Sequence, residues 1–125
     1  MSETNEQTPA IKDDPLYQLL RDGKISEFNA RRKAGETCDI TGTDFRGLDL
    51  RGLDATDLDI TNSYFRQTDL RGVDLSTAKM NGASIHGAKI SGAYFPADLA
   101  AEEILMSLEH GTRLRYGVPV RASKS

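Results

Sequence analysis

The 125-residue sequence contains no tryptophan, one cysteine, four prolines, four phenylalanines and four tyrosines. So few aromatic side chains exclude a large aromatic-centred core. The lone Cys38 cannot form a disulfide within one chain, so a disulfide-stapled scaffold is excluded and a reducing, cytoplasmic setting is the expectation. No apolar run approaches the roughly 18 residues a membrane span requires, and the polar start MSETNEQTPAIKDD lacks the basic and apolar stretches of a secretory signal. Charge of neither sign dominates. With 16 basic and 19 acidic residues the net charge is −3, far from the basic excess of a phosphate-backbone binder, so no direct nucleic-acid contact is expected. His86 and His110 fall in no metal-ligand spacing, and no phosphate loop of Walker or Rossmann type is present, so neither metal nor cofactor is expected.

What the sequence has is a period of five. Residues 38–97 divide into twelve uninterrupted pentads, whose central residues run Ile40, Phe45, Leu50, Ala55, Ile60, Phe65, Leu70, Leu75, Met80, Ile85, Ile90 and Phe95. All are apolar. Two positions earlier stand nine more apolar residues and the small Thr43, Ser63 and Thr68, so these two columns are apolar at 21 of 24 positions against 3 of 36 elsewhere. Neither the 3.6 period of a helix nor the 2.0 period of a strand produces this spacing. Apolar residues two apart share one face of a short extended segment, and the next two residues must turn the chain. Seven pentads end in glycine and others in Asp57 or Asn62, residues that tolerate the backbone angles of a tight corner.

The segments TDFRG, LDLRG, TDLRG and VDLST follow a small-Asp-apolar-x-x pattern that resembles the pentapeptide-repeat family. The resemblance implies an all-β solenoid, a right-handed quadrilateral β-helix with four pentads per coil, and implies no single function, because that family's members differ in role. A second period supports the four-sided coil independently: FRGLDLRGLD at 45–54 matches FRQTDLRGVD at 65–74 at seven of ten positions. Twelve pentads then make about three coils rising only ~15 Å at the usual strand spacing.

An open coil stack needs covers at both ends. The predicted organisation is a disordered tail over 1–12, an N-terminal α-helical cap over 13–37, the repeats over 38–97, a C-terminal capping helix over 98–111 and an arm or tail over 112–125. Asp14 is the expected N-cap before Pro15, with Leu16, Tyr17, Leu19 and Leu20 as the apolar stripe and Gly23 as the stop; a second helix is expected from about Ser26 to Lys33. Downstream, Asp98 is the expected cap of a helix closing the lower coil with Ala101, Ile104, Leu105 and Leu108.

The outer face carries the candidate chemistry. Arg46, Arg66 and His86 form one column and Arg51 and Arg71 the next, a docking surface for an acidic protein partner unless Asp44, Asp49 and Asp69 neutralise the arginines as solvated ion pairs. Tyr64 and Tyr94 replace the usual outward Asp and are candidate contact residues. A second basic feature, the Arg31-Arg32-Lys33 run with the tail residues Arg113, Arg115, Arg121 and Lys124, offers contact with an anionic surface, but the dipole preference of helix C-termini for cations is the favoured explanation. The period of five excludes the hexapeptide coil of many acyltransferases, and no enzyme is expected. The leading expectation is a protein-interaction or scaffold module. The family resemblance implies one alternative, mimicry of DNA toward gyrase. Duplex DNA carries about one negative charge per 1.7 Å, so a ~15 Å mimic needs about nine. The repeats hold eight Asp against six Lys and Arg, and pairing of two copies through a terminal segment would lengthen the stack without removing the arginines.

Overall fold

A computed structural model describes residues 10–117; the tails expected before residue 10 and after residue 117 lie outside them. Among the described residues three helices form, α1 (Pro15–Arg21), α2 (Ile25–Lys33) and α3 (Ala101–His110). Between α2 and α3 the chain winds in coils of twenty residues. Parallel bridges join Asp59 to Lys79, Asp44 to Tyr64 to Ser84, Asp49 to Asp69 to Lys89, and Asp74 to Tyr94. These four columns are the four walls of the stack, numbered here in that order. Each bridge is a pair of backbone hydrogen bonds, as where Phe45 N–H donates to Tyr64 C=O at 2.8 Å and Tyr64 N–H to Thr43 C=O at 2.9 Å.

No bridge extends into a longer strand among the described residues, so the all-β expectation reduces to single-residue bridges. The pentad explains this, because only three residues run along a wall before the chain turns. At the ten corners from Phe45 to Ile90 the C=O of the central residue accepts the N–H three positions on, as from Leu48 to Phe45 at 3.2 Å. The aspartate before the centre also accepts the N–H two residues later: Asp44 Oδ1 from Arg46 at 2.9 Å, Asp54 from Thr56 at 3.1 Å and Asp74 from Ser76 at 2.9 Å. Most corners take positive φ, met by Asn62 at 61° and even by Gln67 at 57°.

Ten of the twelve pentad centres are buried; Ile90 and Phe95, last on their walls, are half-buried. Each fully buried centre of Leu or Phe size contributes about 1.5–3 kcal/mol of apolar burial. Phe45 and Phe65 stack with ring centroids 4.9 Å apart, and Tyr17 of α1 meets Phe45 edge-on at 5.5 Å, so an aromatic column runs from the cap into the core. The inward hydroxyls are satisfied by backbone carbonyls: Thr43 and Ser63 donate to Ile40 C=O, and Thr68 to Phe45 C=O at 2.6 Å.

The upper cover is built from α1 and α2. Asp14 Oδ1 accepts from the Leu16 and Tyr17 N–H groups while its Oδ2 accepts from Asp39 N–H, so one carboxylate caps α1 and terminates the first wall. Asn29 of α2 substitutes for a missing peptide group, donating to Gly52 C=O at 2.9 Å and accepting from Asp54 N–H at 2.9 Å. The predicted disordered tail does not reach residue 12: Ala10 bridges Thr43, and Lys12 pairs with Asp39 at 3.0 Å.

The lower cover differs from expectation. Ala100, not Asp98, precedes α3, and no side chain caps it. The helix turns Glu103 and Ser107 inward and leaves Leu105 54% exposed, although apolar periodicity assigned Leu105 to the buried face. The cause is the polarity of a coil's end. Ile85 N–H donates to Ser107 Oγ at 3.0 Å and Gly87 N–H to Leu108 C=O. The segment after α3 follows the same logic, with Leu114 C=O accepting Gly82 N–H and Tyr116 Oη accepting Met80 N–H. Walls one and two are thus sealed below. On wall three, the Ile90 and Gly92 N–H groups find no acceptor among the described residues.

Candidate interaction site

The pentad places an outward side chain directly after each centre, so residues twenty apart share a wall. Arg46, Arg66 and His86 line wall two, and Arg51 and Arg71 line wall three. On wall three the arginines are neutralised. Arg51 forms a two-point pair with Asp49 (2.9 and 2.7 Å), Arg71 forms the same pair with Asp69, and Arg51 also reaches Asp69 at 3.4 Å. Each arginine holds its partner carboxyl below the usual range, Asp69 furthest. The pairing reuses the corner: the carboxylate that accepts the N–H of the following arginine also binds its guanidinium.

Wall two begins the same way and then breaks. Arg46 pairs with Asp44 at 2.9 Å. One coil lower Tyr64 stands where that aspartate would be, and Arg66 makes no ion pair among the described residues. Its guanidinium instead donates to His86 Nδ1 at 2.8 Å. Arginine has no acceptor, so in this hydrogen bond His86 Nδ1 is the acceptor.

The lower cover completes this wall. Gly111, the left-handed residue ending α3, lies against the His86 ring, and the chain then brings in Arg113. Arg113 donates to Gly82 C=O at 2.8 Å and to Tyr64 Oη, with its guanidinium 5.2 Å from the centre of the Tyr64 ring. Together Arg46, Tyr64, Arg66, His86, His110 and Arg113 line an open groove of about 440 Å³.

Of the six sequence-predicted residues, Arg46, Tyr64 and Arg66 meet in this groove. Arg51 and Arg71 lie on the neighbouring wall, and Tyr94, 66% exposed, lies on wall four. Sequence reasoning set His86 in the arginine column without naming it as a contact residue, and did not place His110 or Arg113 in the site. His86 was legible as the third member of the Arg46 column. The other two required knowing where α3 ends. Cys38 takes no part: it is half-buried beneath the upper cover, and burial pushes its thiol pKa up.

A family model for pentapeptide repeats matches residues 59–95 in eight copies. The pentads above residue 59 carry the bulky Leu48, Leu53 and Leu58 at the column where later coils carry Ala78, Ala83, Ala88 and Ala93, yet they join the same bridge columns. No curated protein and no solved structure matches the chain.

Proposed function

We propose that this chain, whose residues 59–95 match the pentapeptide-repeat model, is a non-enzymatic protein-interaction module, a right-handed quadrilateral β-helix of three coils that presents wall two to an acidic protein partner. The observation that carries this reading is the unneutralised Arg66. Every other arginine of the repeats has an aspartate at salt-bridge distance, and the one that does not sits at the centre of a groove with two further arginines. Arginine in such a position favours bidentate contact with a carboxylate or phosphate. A rigid stack supports the reading, because a wall held by bridges positions its side chains without the ordering cost a loop would incur.

The test is a pull-down with the whole chain and two charge-reversal variants, Arg66→Glu and Arg71→Glu. Loss of a captured partner with Arg66→Glu and its retention with Arg71→Glu is the expected result. Equal capture by all three would remove the groove from the function. Mimicry of DNA toward gyrase is disfavoured by the same groove, since a mimic needs acidic walls there. Stoichiometric inhibition of supercoiling by the purified protein would reverse that preference.

A further inference from the structure

The arginines of the repeats carry a template for what Arg66 takes up. Arg46, Arg51 and Arg71 each bind the aspartate two residues earlier through the same three donors, the backbone N–H, Nε and Nη2. At Arg71 the three distances are 3.2, 2.9 and 2.7 Å. Arg66 follows Tyr64 instead of an aspartate, and its three corresponding donors have no acceptor among the described residues. Its guanidinium is fixed nonetheless. Nη1 donates to His86 Nδ1 at 2.8 Å, and the His86 ring lies against Gly111. That bond uses the one nitrogen that the carboxylate pairs leave over, so the Nε–Nη2 edge stays open on an exposed side chain.

Wall three shows how a carboxylate on that edge reaches further. Asp69 is bound by Arg71 and also lies 3.4 Å from Nε of Arg51, one coil above. Arg46 stands one coil above Arg66 in the same relation, and its own Asp44 takes Nε and Nη2, leaving Nη1. A carboxylate laid on Arg66 would therefore rebuild the alternating ladder of carboxylate and guanidinium that Tyr64 interrupts. A planar group with two oxygens matches the two parallel donors of the fork.

We propose that the Nε–Nη2 edge of Arg66 binds one side-chain carboxylate, an Asp or Glu of the protein partner, which takes the place of the aspartate missing from wall two. The inference rests on the interaction-module reading above and supplies the contacting atoms. The template sets the source: in all three pairs the carboxylate projects from a side chain, not from a chain end. One exposed ion pair is weak by itself, so the carboxylate comes on a larger surface that shields it from water.

The test puts the missing aspartate back. Tyr64→Asp gives the chain its own carboxylate, and Tyr64→Ala removes the ring without adding charge. Capture of the partner is compared for the whole chain and both variants. The Arg66 Nε–H resonance is followed by NMR as N-acetyl-aspartate-N-methylamide, N-acetyl-alanine or inorganic phosphate is added. Tyr64→Asp is expected to move that resonance toward the position of Arg71, to abolish its response to the aspartate probe and to weaken capture about tenfold or more. Tyr64→Ala is expected to keep both the response and the capture. Equal loss of capture in Tyr64→Ala would assign the effect to the tyrosine ring and overturn the proposal. Phosphate binding more tightly than the aspartate probe would overturn the carboxylate class, and tighter binding of N-acetyl-alanine, charged only at its terminal carboxylate, would overturn the side-chain source. Capture lost in Arg66→Glu but kept in Tyr64→Asp sinks this inference and leaves the interaction module standing; a saturable aspartate response at Arg66 without Arg66-dependent capture does the reverse.

Discussion

In three pentads a single aspartate performs two tasks, and the residue that replaces it decides the chemistry of its wall. Asp44, Asp49 and Asp69 close the corner through a backbone N–H and neutralise the next arginine. Tyr64 can do neither, which is how Arg66 becomes available. The replacement was legible in the sequence. Its consequence was not, because the turn bond and the ion pair share one carboxylate only in three dimensions. The corner glycines make a matching point. Gly82 has φ +80°, and a Cβ there would lie 1.9 Å from Asn62 Oδ1. Gly82→Ala must therefore both adopt a left-handed backbone and displace the Asn62 amide, at a cost of about 1–2 kcal/mol from the backbone alone. Urea unfolding should show that loss, while Gly72→Ala, with open space around its Cβ position, should show only the backbone part.

Among the elements, α3 departs most from its sequence pattern. The spacing of Ala101, Ile104, Leu105 and Leu108 correctly predicted a helix. It misassigned the inward face, because a helix packed on a coil's end must supply acceptors as well as apolar surface. Ser107 supplies one to the buried Ile85 N–H, and Glu103 accepts Arg115 through its side chain at 2.8 Å and its backbone N–H at 3.2 Å, which fastens the following segment to the helix. Ser107→Ala leaves a buried donor without a partner and should destabilise by about 1–3 kcal/mol, read as a lower urea midpoint. Leu105→Ala at the exposed position should change that midpoint little. A larger loss from Leu105→Ala than from Ser107→Ala would restore the apolar face. By contrast α1 reads directly from sequence, since Asp14, Pro15 and the buried Leu16, Tyr17 and Leu20 obey purely local rules.

For the whole molecule the coil count and interior columns were legible because a strict period leaves one register in which the apolar residues meet. The depth of coverage at each end was not, because it depends on distant segments folding back. The repeated corner aspartates also give the stack a common response to acid. Asp39, Asp44, Asp49, Asp54, Asp69 and Asp74 are all held below the usual carboxylate range, mainly by side-chain hydrogen bonds to Lys12, Arg46, Arg51, Thr56, Arg71 and Ser76 respectively. Folded values below an unfolded value near 3.9 mean that this stabilisation is complete above about pH 5 and is lost as pH falls through the folded values. Thermal melts should show a midpoint insensitive to these groups above about pH 5 and falling steadily below about pH 4; a midpoint that rises on acidification would contradict the linkage. The twenty-residue bridge spacing has a kinetic meaning as well. Each new coil closes a loop of the same length, at about 2.7 kcal/mol plus a constant, so growth of the stack repeats one step instead of reaching across the whole chain. That uniformity creates a hazard, because 45–54 and 65–74 are alike at seven of ten positions and offer nearly interchangeable docking partners to the coil below. Asp14 and Asn29 resolve it: each bonds backbone groups of the first coil, so the upper cover marks where counting begins.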